Sequence, residues 1–529
     1  EAYIHEKMRC ELPHRSLPLR QGNAILVDSS GNPFSAWTQI QECFSFNPTL
    51  GYLQFVNRGY FSTGDLYVHQ TDADFSFWVH DYVYDYSLYG SARYPASIAS
   101  SNGPHIGFSI IDPGTGGPPT MMGGSYELGG WFSSCWDPAI DMSGCITALR
   151  SIGYQLPTGN ILFVSNTSNN WSIPYFTMSL DLGSTLANGS LAANCELWGI
   201  DCNGGICYVF YYDIATLNVY YRTTTDGINW SPETQWDITY PTPYANNYLD
   251  WTQMALTDAG DPILVFDIAD ADDSEYPQRH KVYVQIDDGA TPIQVSDDFY
   301  QASWYPTIAT GENYVGNNIV VLFHVWTNNE TDSLARNDIF QVFSVDNGVT
   351  WSQPYNLTQT FPNRPGLAQL AKRLNASDFQ MYYFYAVNMV VDLDIMWAIL
   401  TGNDHRLDYT AWYVCWDLTY APGVEENKES PAVQKLNLEI YPNPFSNRTK
   451  IRYIIQDAGY TIEEISMNIY DAAGRLVKSF PRSTLDALRR THITWQGDDD
   501  FGRPVPAGVY FVQLKDGKIS LGKKIIKLE

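Results

Sequence analysis

The feature that most constrains the fold is a strand–turn–strand figure that recurs along the first 420 residues. Each copy joins two apolar, β-branched runs through a turn rich in Gly, Asn, Asp or Ser. The copies lie at 23–37, 94–108, 146–164, 195–210, 251–266, 304–323 and 367–383, roughly 45–70 residues apart. Repeats of short strands at such a period are typical of a β-propeller, whose small sheets, or blades, bury their faces against one another. The sequence therefore predicts an all-β propeller over residues 1–420, with seven blades, or alternatively six.

A second pattern, Ser-x-Asp-x-Gly-x-Thr-Trp, predicts a tight turn between antiparallel strands. Its defining residues are Ser344, Asp346, Gly348 and Trp351, and a looser copy carries Asp226, Gly227 and Trp230. The aspartate accepts hydrogen bonds from backbone N–H groups that follow it, the glycine supplies a positive φ, and the tryptophan folds back under the turn. A third, degraded copy lies at 165–171. Such turns stabilise a sheet and perform no chemistry.

The composition excludes several classes of protein. The net charge of −27 argues against binding to nucleic acid or to anionic membrane surfaces. Aromatic residues make up 15% of the chain, which is too many for a disordered protein. No apolar run reaches the roughly 20 residues that a membrane-spanning helix needs. The chain begins at Glu1, which leads us to expect that a signal peptide has been removed.

The eight cysteines predict disulfide bonds rather than a zinc site. Their number is even, and no Cys-x2-Cys pair or neighbouring histidine cluster is present. Cys135 with Cys145 and Cys202 with Cys207 are close enough for local bridges. A bridge from Cys10 or Cys43 to Cys415 would tie the N-terminus to the end of the large domain. The spacing alone leaves the connectivity open.

An acidic segment is the one candidate for a metal site. Asp267, Asp270, Asp272 and Asp273 follow a predicted strand. Clustered carboxylates suit calcium, although the spacing is not that of an EF-hand. The alternative is an exposed acidic loop. No other cofactor is predicted.

The last part of the chain predicts a separate β-sandwich. Residues 421–433 form a polar linker, and about seven strands with alternating pattern follow in 434–529. That density of short strands indicates an Ig-like module.

The C-terminal module resembles the sorting domain of the bacterial type IX secretion system and the related Ig-like module of flagellar-hook-capping proteins. The carrying motifs are Tyr441-Pro442-Asn443-Pro444-Phe445, Tyr470-Asp471 with Gly474-Arg475, Trp495-x-Gly497-x-Asp499, and Ala507-Gly508-Val509-Tyr510-Phe511. The resemblance implies export across the outer membrane, with release or attachment at the cell surface.

The large domain resembles the sialidase-like propellers that carry Asp-box turns, known as BNR repeats. That resemblance implies a possible enzyme with an arginine triad, a Tyr/Glu nucleophile pair and an Asp acid/base. Ala92-Arg93-Tyr94-Pro95 departs from the usual first-arginine motif, and no Tyr/Glu pair is evident. The nine histidines are isolated in the sequence. No catalytic residue is therefore assigned.

The sequence favours a secreted, non-catalytic surface protein that binds a glycan or a protein, or that assembles with copies of itself into a filament. Runs such as 75–78 and 82–86 supply aromatic rings that could stack on sugars. The alternative is a sialidase-like glycoside hydrolase, which would bring two carboxyl groups together in the central funnel.

Overall fold

The fold is that of a computed structural model, which describes part of the chain. The described residues are 24–31, 42–59, 65–76, 78–84, 91–100, 103–112, 120–125, 148–156, 161–167, 173–180, 184–193, 195–213, 215–216, 218–238, 247–270, 279–298, 300, 302–313, 316–327, 336–358, 365–376, 380–388, 396, 410–417, 436–441, 443–455, 465–472, 474–480, 491–516 and 519–528. Two compact units divide the chain, Glu1–Tyr420 and Ala421–Glu529.

The described strands of the first unit form seven antiparallel sheets, numbered here in chain order. Sheet 1 contains β2 (Phe44–Asn47), β3 (Tyr52–Arg58), β4 (Leu66–Asp72) and β5 (Trp78–Tyr84). Sheet 2 contains β6 (Ser91–Ser100), β7 (Gly103–Asp112) and β8 (Thr120–Ser125). Sheet 3 contains β9 (Ala148–Gln155), β10 (Ile161–Thr167), β11 (Ile173–Leu180) and β12 (Ser184–Ser190). Each sheet is a simple meander of consecutive strands.

Sheets 4 to 6 repeat this plan. Sheet 4 contains β13 (Cys195–Asn203), β14 (Ile206–Asp213), β15 (Val219–Thr224) and β16 (Thr234–Trp236). Sheet 5 contains β17 (Asn247–Leu256), β18 (Pro262–Asp270), β19 (His280–Gln285) and β20 (Ile293–Gln294). Sheet 6 contains β21 (Ser303–Asn313), β22 (Gly316–Trp326), β23 (Asn337–Ser344) and β24 (Tyr355–Asn356). The arrangement of the first unit is β-propeller-like.

Sheet 7 joins the two ends of the first unit. It contains β25 (Gly366–Leu370), β26 (Met381–Asn388), β27 (Thr410–Asp417) and, beside β27, the first strand β1 (Ala24–Ser30). Ala24 lies opposite Cys415, and the Trp412 indole donates a hydrogen bond to Ser30 Oγ at 2.8 Å. An N-terminal strand that completes the last sheet removes an exposed edge.

Large side chains fill the spaces between sheets. Phe55 of sheet 1 packs on Phe384 and Trp412 of sheet 7, with ring centroids 5.0 and 5.9 Å apart. Phe210 of sheet 4 belongs to one core cluster with Phe266 of sheet 5. Each fully buried ring of this kind contributes about 1.5–3 kcal/mol relative to an exposed one. The alternating apolar residues of the repeat therefore face neighbouring sheets.

Six of the seven predicted strand–turn–strand copies correspond to the first two strands of sheets 2 to 7. The prediction for 23–37 was wrong in its assignment, because β1 belongs to sheet 7 and not to a first blade. The strands that form sheet 1 were not predicted from the sequence. Its first turn ends in Gly51 but is held by Asn47, whose Oδ1 accepts the N–H groups of Thr49 and Leu50 at 2.9 Å.

The second unit is a sandwich of two antiparallel sheets. One contains β28 (Leu436–Tyr441), β29 (Thr449–Ile455) and β32 (Thr491–Trp495). The other has the order β31 (Leu476–Phe480), β30 (Ile465–Asp471), β33 (Gly508–Asp516) and β34 (Ile519–Lys527). Trp495 and Phe445 lie in its core, with ring centroids 5.3 Å apart. The seven strands agree closely with the seven runs read from the sequence.

Candidate functional site

The first strands of six sheets carry a bulge near the end at which they begin. In the described part of the chain these irregularities fall between Arg93 and Ala96, Leu149 and Ser151, Leu197 and Gly199, Leu249 and Thr252, Trp304 and Thr307, and Gly366 and Gln369. Tyr305 and Leu367, within two of them, adopt positive φ angles of 58° and 52°. Bulges and strained residues are frequent beside binding sites because they re-aim side chains.

A pair of ions joins two of these first strands at their other end. The Arg373 guanidinium, just after β25, donates two hydrogen bonds to the Asp201 carboxylate of β13, at 2.6 and 2.9 Å. Asp201 is fully buried and also accepts the Leu256 N–H at 2.7 Å. Sheets 4 and 7 are not neighbours in the chain, so this ion pair places their first strands at a common centre.

Lys372 makes further contacts between first strands beside the Asp201–Arg373 ion pair. Its ammonium group donates to the Ile200 carbonyl at 2.6 Å and forms an ion pair with Glu42. The Lys372 carbonyl in turn accepts the Thr310 N–H at 3.0 Å. Asp201 and Glu42, the two carboxylates described at this centre, are thus each bound to a cation. This geometry is that of a structural network rather than of a general acid and nucleophile.

The structure reveals a Tyr/Glu pair that the sequence did not disclose. The Tyr211 hydroxyl donates to Glu233 Oε2 at 2.8 Å and lies 3.3 Å from Arg222 Nε. Burial raises the pKa of Tyr211 well above its usual value. A tyrosine nucleophile needs the opposite shift, so this pair does not form an activated nucleophile.

The two clear Asp-box turns occupy equivalent positions. Each lies between the third and fourth strands of its sheet, β23 to β24 and β15 to β16. Asp346 Oδ1 accepts the Thr350 N–H at 2.9 Å, and the Trp351 indole donates to the Gly348 carbonyl at 3.0 Å.

In the looser copy the backbone N–H of Asn229, at 2.8 Å from Asp226 Oδ1, is the main cause that lowers the pKa of Asp226 to about 2. The degraded copy instead connects β10 to β11, the second and third strands of its sheet. It is therefore not equivalent to the other two.

The predicted calcium ligands are only partly described. Asp267 is fully buried, and its Oδ2 accepts the Tyr305 N–H at 2.9 Å, so it holds the bulge of β21. Asp270 ends β18, and Asp272 and Asp273 lie outside the described residues. Among the described residues no group of three or more His, Cys, Asp or Glu side chains could hold a metal ion. Calcium at this segment stays a prediction.

One of the predicted disulfide bonds is present. Cys202 and Cys207 are bonded across the β13–β14 turn. Cys10, Cys135 and Cys145 lie outside the described residues, so their pairing stays a prediction. Cys43 and Cys415 are both buried and no disulfide joins them, so the predicted Cys43–Cys415 bridge was wrong. Cys195 is also buried, and burial is the main cause that raises its pKa to about 11.

The edge strand of sheet 1 carries a row of partly exposed rings. Trp78, His80 and Tyr82 alternate along β5 and therefore point to the same face of the sheet. The Trp78 and His80 rings are nearly parallel, with an interplanar angle of 7° and centroids 5.7 Å apart. Tyr82 is 39% exposed, and its hydroxyl donates to Asp65 Oδ1 at 3.2 Å. We call Trp78, His80 and Tyr82 the β5 ring row.

A chain of polar side chains extends from this row across the same face of the sheet. His69 of β4 lies directly opposite His80, and their Nδ1 atoms are 2.7 Å apart. His69 Nε2 is 2.8 Å from Asn57 Oδ1 and 3.2 Å from Asp28 Oδ2 of β1. The histidines are isolated in the sequence, and the contact between these two was not predicted. The signal that pairs these two is their nearly equal distance from the polar turn at 73–76.

The motifs of the second unit cover both edges of its four-stranded sheet. At β34, the Phe445 N–H donates to the Ile526 carbonyl at 3.0 Å, and Asn443 Oδ1 accepts the Ile526 N–H at 2.9 Å. At β31, Asp500 Oδ1 accepts the Ser479 N–H at 2.8 Å. Covered edges prevent pairing with strands of other chains.

Comparison with known families identifies the second unit. The secretion system C-terminal sorting domain matches residues 439–528. The protein is therefore secreted to the outer surface or the exterior of a bacterial cell by the type IX system. No match was found among the curated proteins. Among the described residues, no helix is long and apolar enough to cross a membrane.

Several solved structures show a distant likeness. A polysaccharide lyase of family PL25, an ulvan lyase, has a TM-score of 0.45 at 13% identity and covers 70% of this chain and 94% of its own. PorZ of Porphyromonas gingivalis, a surface component of the type IX system, has a TM-score of 0.36 at 12% identity and covers 94% and 60%. The GH93 α-L-arabinofuranosidase of Fusarium graminearum has a TM-score of 0.37 at 15% identity and covers 73% and 98%. Scores this low carry no conclusion about activity.

Proposed function

We propose that the chain is a secreted, non-catalytic β-propeller of seven blades that binds an extracellular glycan through the β5 ring row. The blade number is supported by the seven sheets of the described residues, of which the last is completed by β1. The observation that carries the function is the same-face arrangement of the half-buried Trp78 with the exposed His80 and Tyr82 on an edge strand. Flat rings next to polar groups are suited to sugars, which have apolar faces and hydroxyl rims.

The surroundings of the row agree with a binding role. Asp65, the acceptor for Tyr82, is itself buried, so the ring is held in one orientation. A ring whose orientation is already fixed loses little conformational entropy when a ligand binds. By contrast, the charges of Asp201 and Arg373 pair with each other inside their own network.

Binding to a panel of soluble bacterial and host polysaccharides tests the proposal. The full chain should bind at least one of them, and the Trp78→Ala and Tyr82→Ala variants should each weaken that binding by about tenfold or more, which is about 1.4 kcal/mol. Val349→Ala is the matched control, because Val349 is an apolar side chain that is 77% exposed in a distant Asp-box turn. It should leave the affinity unchanged.

Equal affinity of all four proteins, or no binding to any polysaccharide, would refute the ring row as the site. The same incubations should be followed by size-exclusion chromatography of the glycans. Shortened products would support the alternative glycoside hydrolase instead, and would direct attention to carboxyl groups about 5–9.5 Å apart.

A further inference from the structure

His69 and His80, the latter a member of the β5 ring row, can share only one proton between their Nδ1 atoms. Their Nδ1 atoms are 2.7 Å apart, which is a hydrogen-bond distance. One nitrogen must donate and the other must accept. Two N–H groups facing each other at this distance would repel, so the contact exists only while one of the two nitrogens lacks a proton.

The neighbours of His69 fix where its other proton sits. His69 Nε2 faces Asn57 Oδ1 at 2.8 Å and Asp28 Oδ2 at 3.2 Å. The Asn57 amide is oriented by its nitrogen, which donates to Asp28 Oδ2 and to the Arg58 carbonyl. Both partners of Nε2 are therefore acceptors, and Nε2 carries a proton. A neutral His69 then accepts through Nδ1, and His80 donates.

The number of protons determines whether the pair holds together. One extra proton can be accommodated, because either ring can become an imidazolium while a single proton stays between the Nδ1 atoms. A second extra proton places N–H groups on both Nδ1 atoms and separates the rings. His69 is fully buried, whereas His80 is exposed, so His80 is the ring that moves.

Movement of His80 changes the binding face directly. The Trp78 ring lies parallel to the His80 ring and also packs against Phe75 and a core cluster, so movement of His80 removes one of the contacts that hold Trp78. On the other side, Phe55 stacks on His69 and fixes it within the sheet. The polar and titratable groups of this cluster include Asp28 of β1, Asn57 of β3, His69 of β4 and His80 of β5.

We propose that the His69–His80 pair is a proton-operated switch of the β5 ring row, which holds the Trp78 surface in place near neutral pH and releases it on acidification. The proposal rests on the proposed function only for its biological consequence, which is release of the bound glycan in an acidic environment. Imidazoles are the side chains whose charge changes in this range of pH.

The test measures the exposure of Trp78 without any ligand. Acrylamide quenching of tryptophan fluorescence is recorded for the full chain and for its Trp78→Phe variant at about pH 7.5 and about pH 5, a range in which imidazoles change charge. The difference between the two proteins isolates Trp78. Its quenching constant should rise roughly twofold or more at the lower pH, as imidazoles become charged. In the His80→Gln background, the same difference should not depend on pH.

His492→Gln, in the second unit, is the matched control and should preserve the pH dependence. A Trp78 signal that is the same at both pH values would overturn the proposal, as would an unchanged pH response in the His80→Gln protein. Because no glycan is present, a failed glycan-binding assay leaves this result intact, and a failed switch leaves glycan binding at neutral pH intact. Circular dichroism at both pH values excludes general unfolding as the cause.

Discussion

The Asp-box glycine of sheet 6 provides a sharp test of how local conformation and packing combine. Gly348 has φ of +82°, and a Cβ atom there would overlap Cδ1 of Ile286 and lie 3.1 Å from its Cγ1. Gly205 has nearly the same φ, +84°, but a Cβ atom there would meet no heavy atom within 4 Å. The substitutions Gly348→Ala and Gly205→Ala therefore share the conformational cost and differ in packing.

The expected magnitudes follow from these two terms. A left-handed conformation costs an alanine about 1–2 kcal/mol, so Gly205→Ala should lower the free energy of unfolding by that amount. The overlap with Ile286 adds an overpacking cost of about 1–3 kcal/mol, which brings Gly348→Ala to a total of about 2–5 kcal/mol. Ile286→Ala should recover part of the second cost in the double variant, because the two changes share one contact.

Urea unfolding followed by tryptophan fluorescence measures these differences. Of the 16 tryptophans only Trp495 belongs to the second unit, so the signal reports mainly on the first. Equal losses for Gly348→Ala and Gly205→Ala would refute the packing argument. If the losses in the free energy of unfolding for Gly348→Ala and Ile286→Ala simply add in the double variant, the overlap between the alanine side chain at position 348 and Ile286 is relieved without cost.

Two further predictions concern charges and protons in the first unit. Arg373→Met leaves the buried Asp201 carboxylate without its cation, so we expect urea unfolding to show a loss of about 3–5 kcal/mol in the free energy of unfolding. Arg475→Met breaks an exposed ion pair in the second unit and should lower the free energy of unfolding by less than about 1 kcal/mol. Burial raises the pKa of Cys195 from 9.0 to about 11, so the unfolded thiol ionises before the folded one, and stability should fall as pH rises through this interval. The urea midpoint is measured at one pH below and one pH above this interval, and its decrease between the two should be smaller for Cys195→Ala than for the unaltered chain. An equal decrease for both proteins would contradict the assignment of this pH dependence to Cys195.

Local patterns were sufficient where local interactions dominate. The strands of the second unit could be read from alternation and turn residues because each run is bounded by its own Gly, Pro or Asp signals. The Asp-box residues Asp346 and Trp351 were likewise recognisable, since their hydrogen bonds stay within a few positions of the chain. The prediction failed at sheet 1, where β1 has the pattern of a blade strand but pairs with β27. Alternation specifies a strand without specifying its partner.

The sequence by itself determined the classes of structure: short antiparallel strands in repeated sheets, Asp-box turns, and a C-terminal module bearing the residues of an export domain. These depend on side-chain alternation, backbone preferences and motifs, which are properties of neighbouring residues. Only the tertiary structure decided that Asp201 meets Arg373, 172 positions away, and that His69 meets both His80 and Asp28. Contacts between different sheets depend on how the sheets pack, and side chains that serve them carry no periodic signal in the chain. The candidate binding face therefore becomes visible only when β1, β4 and β5 are brought together.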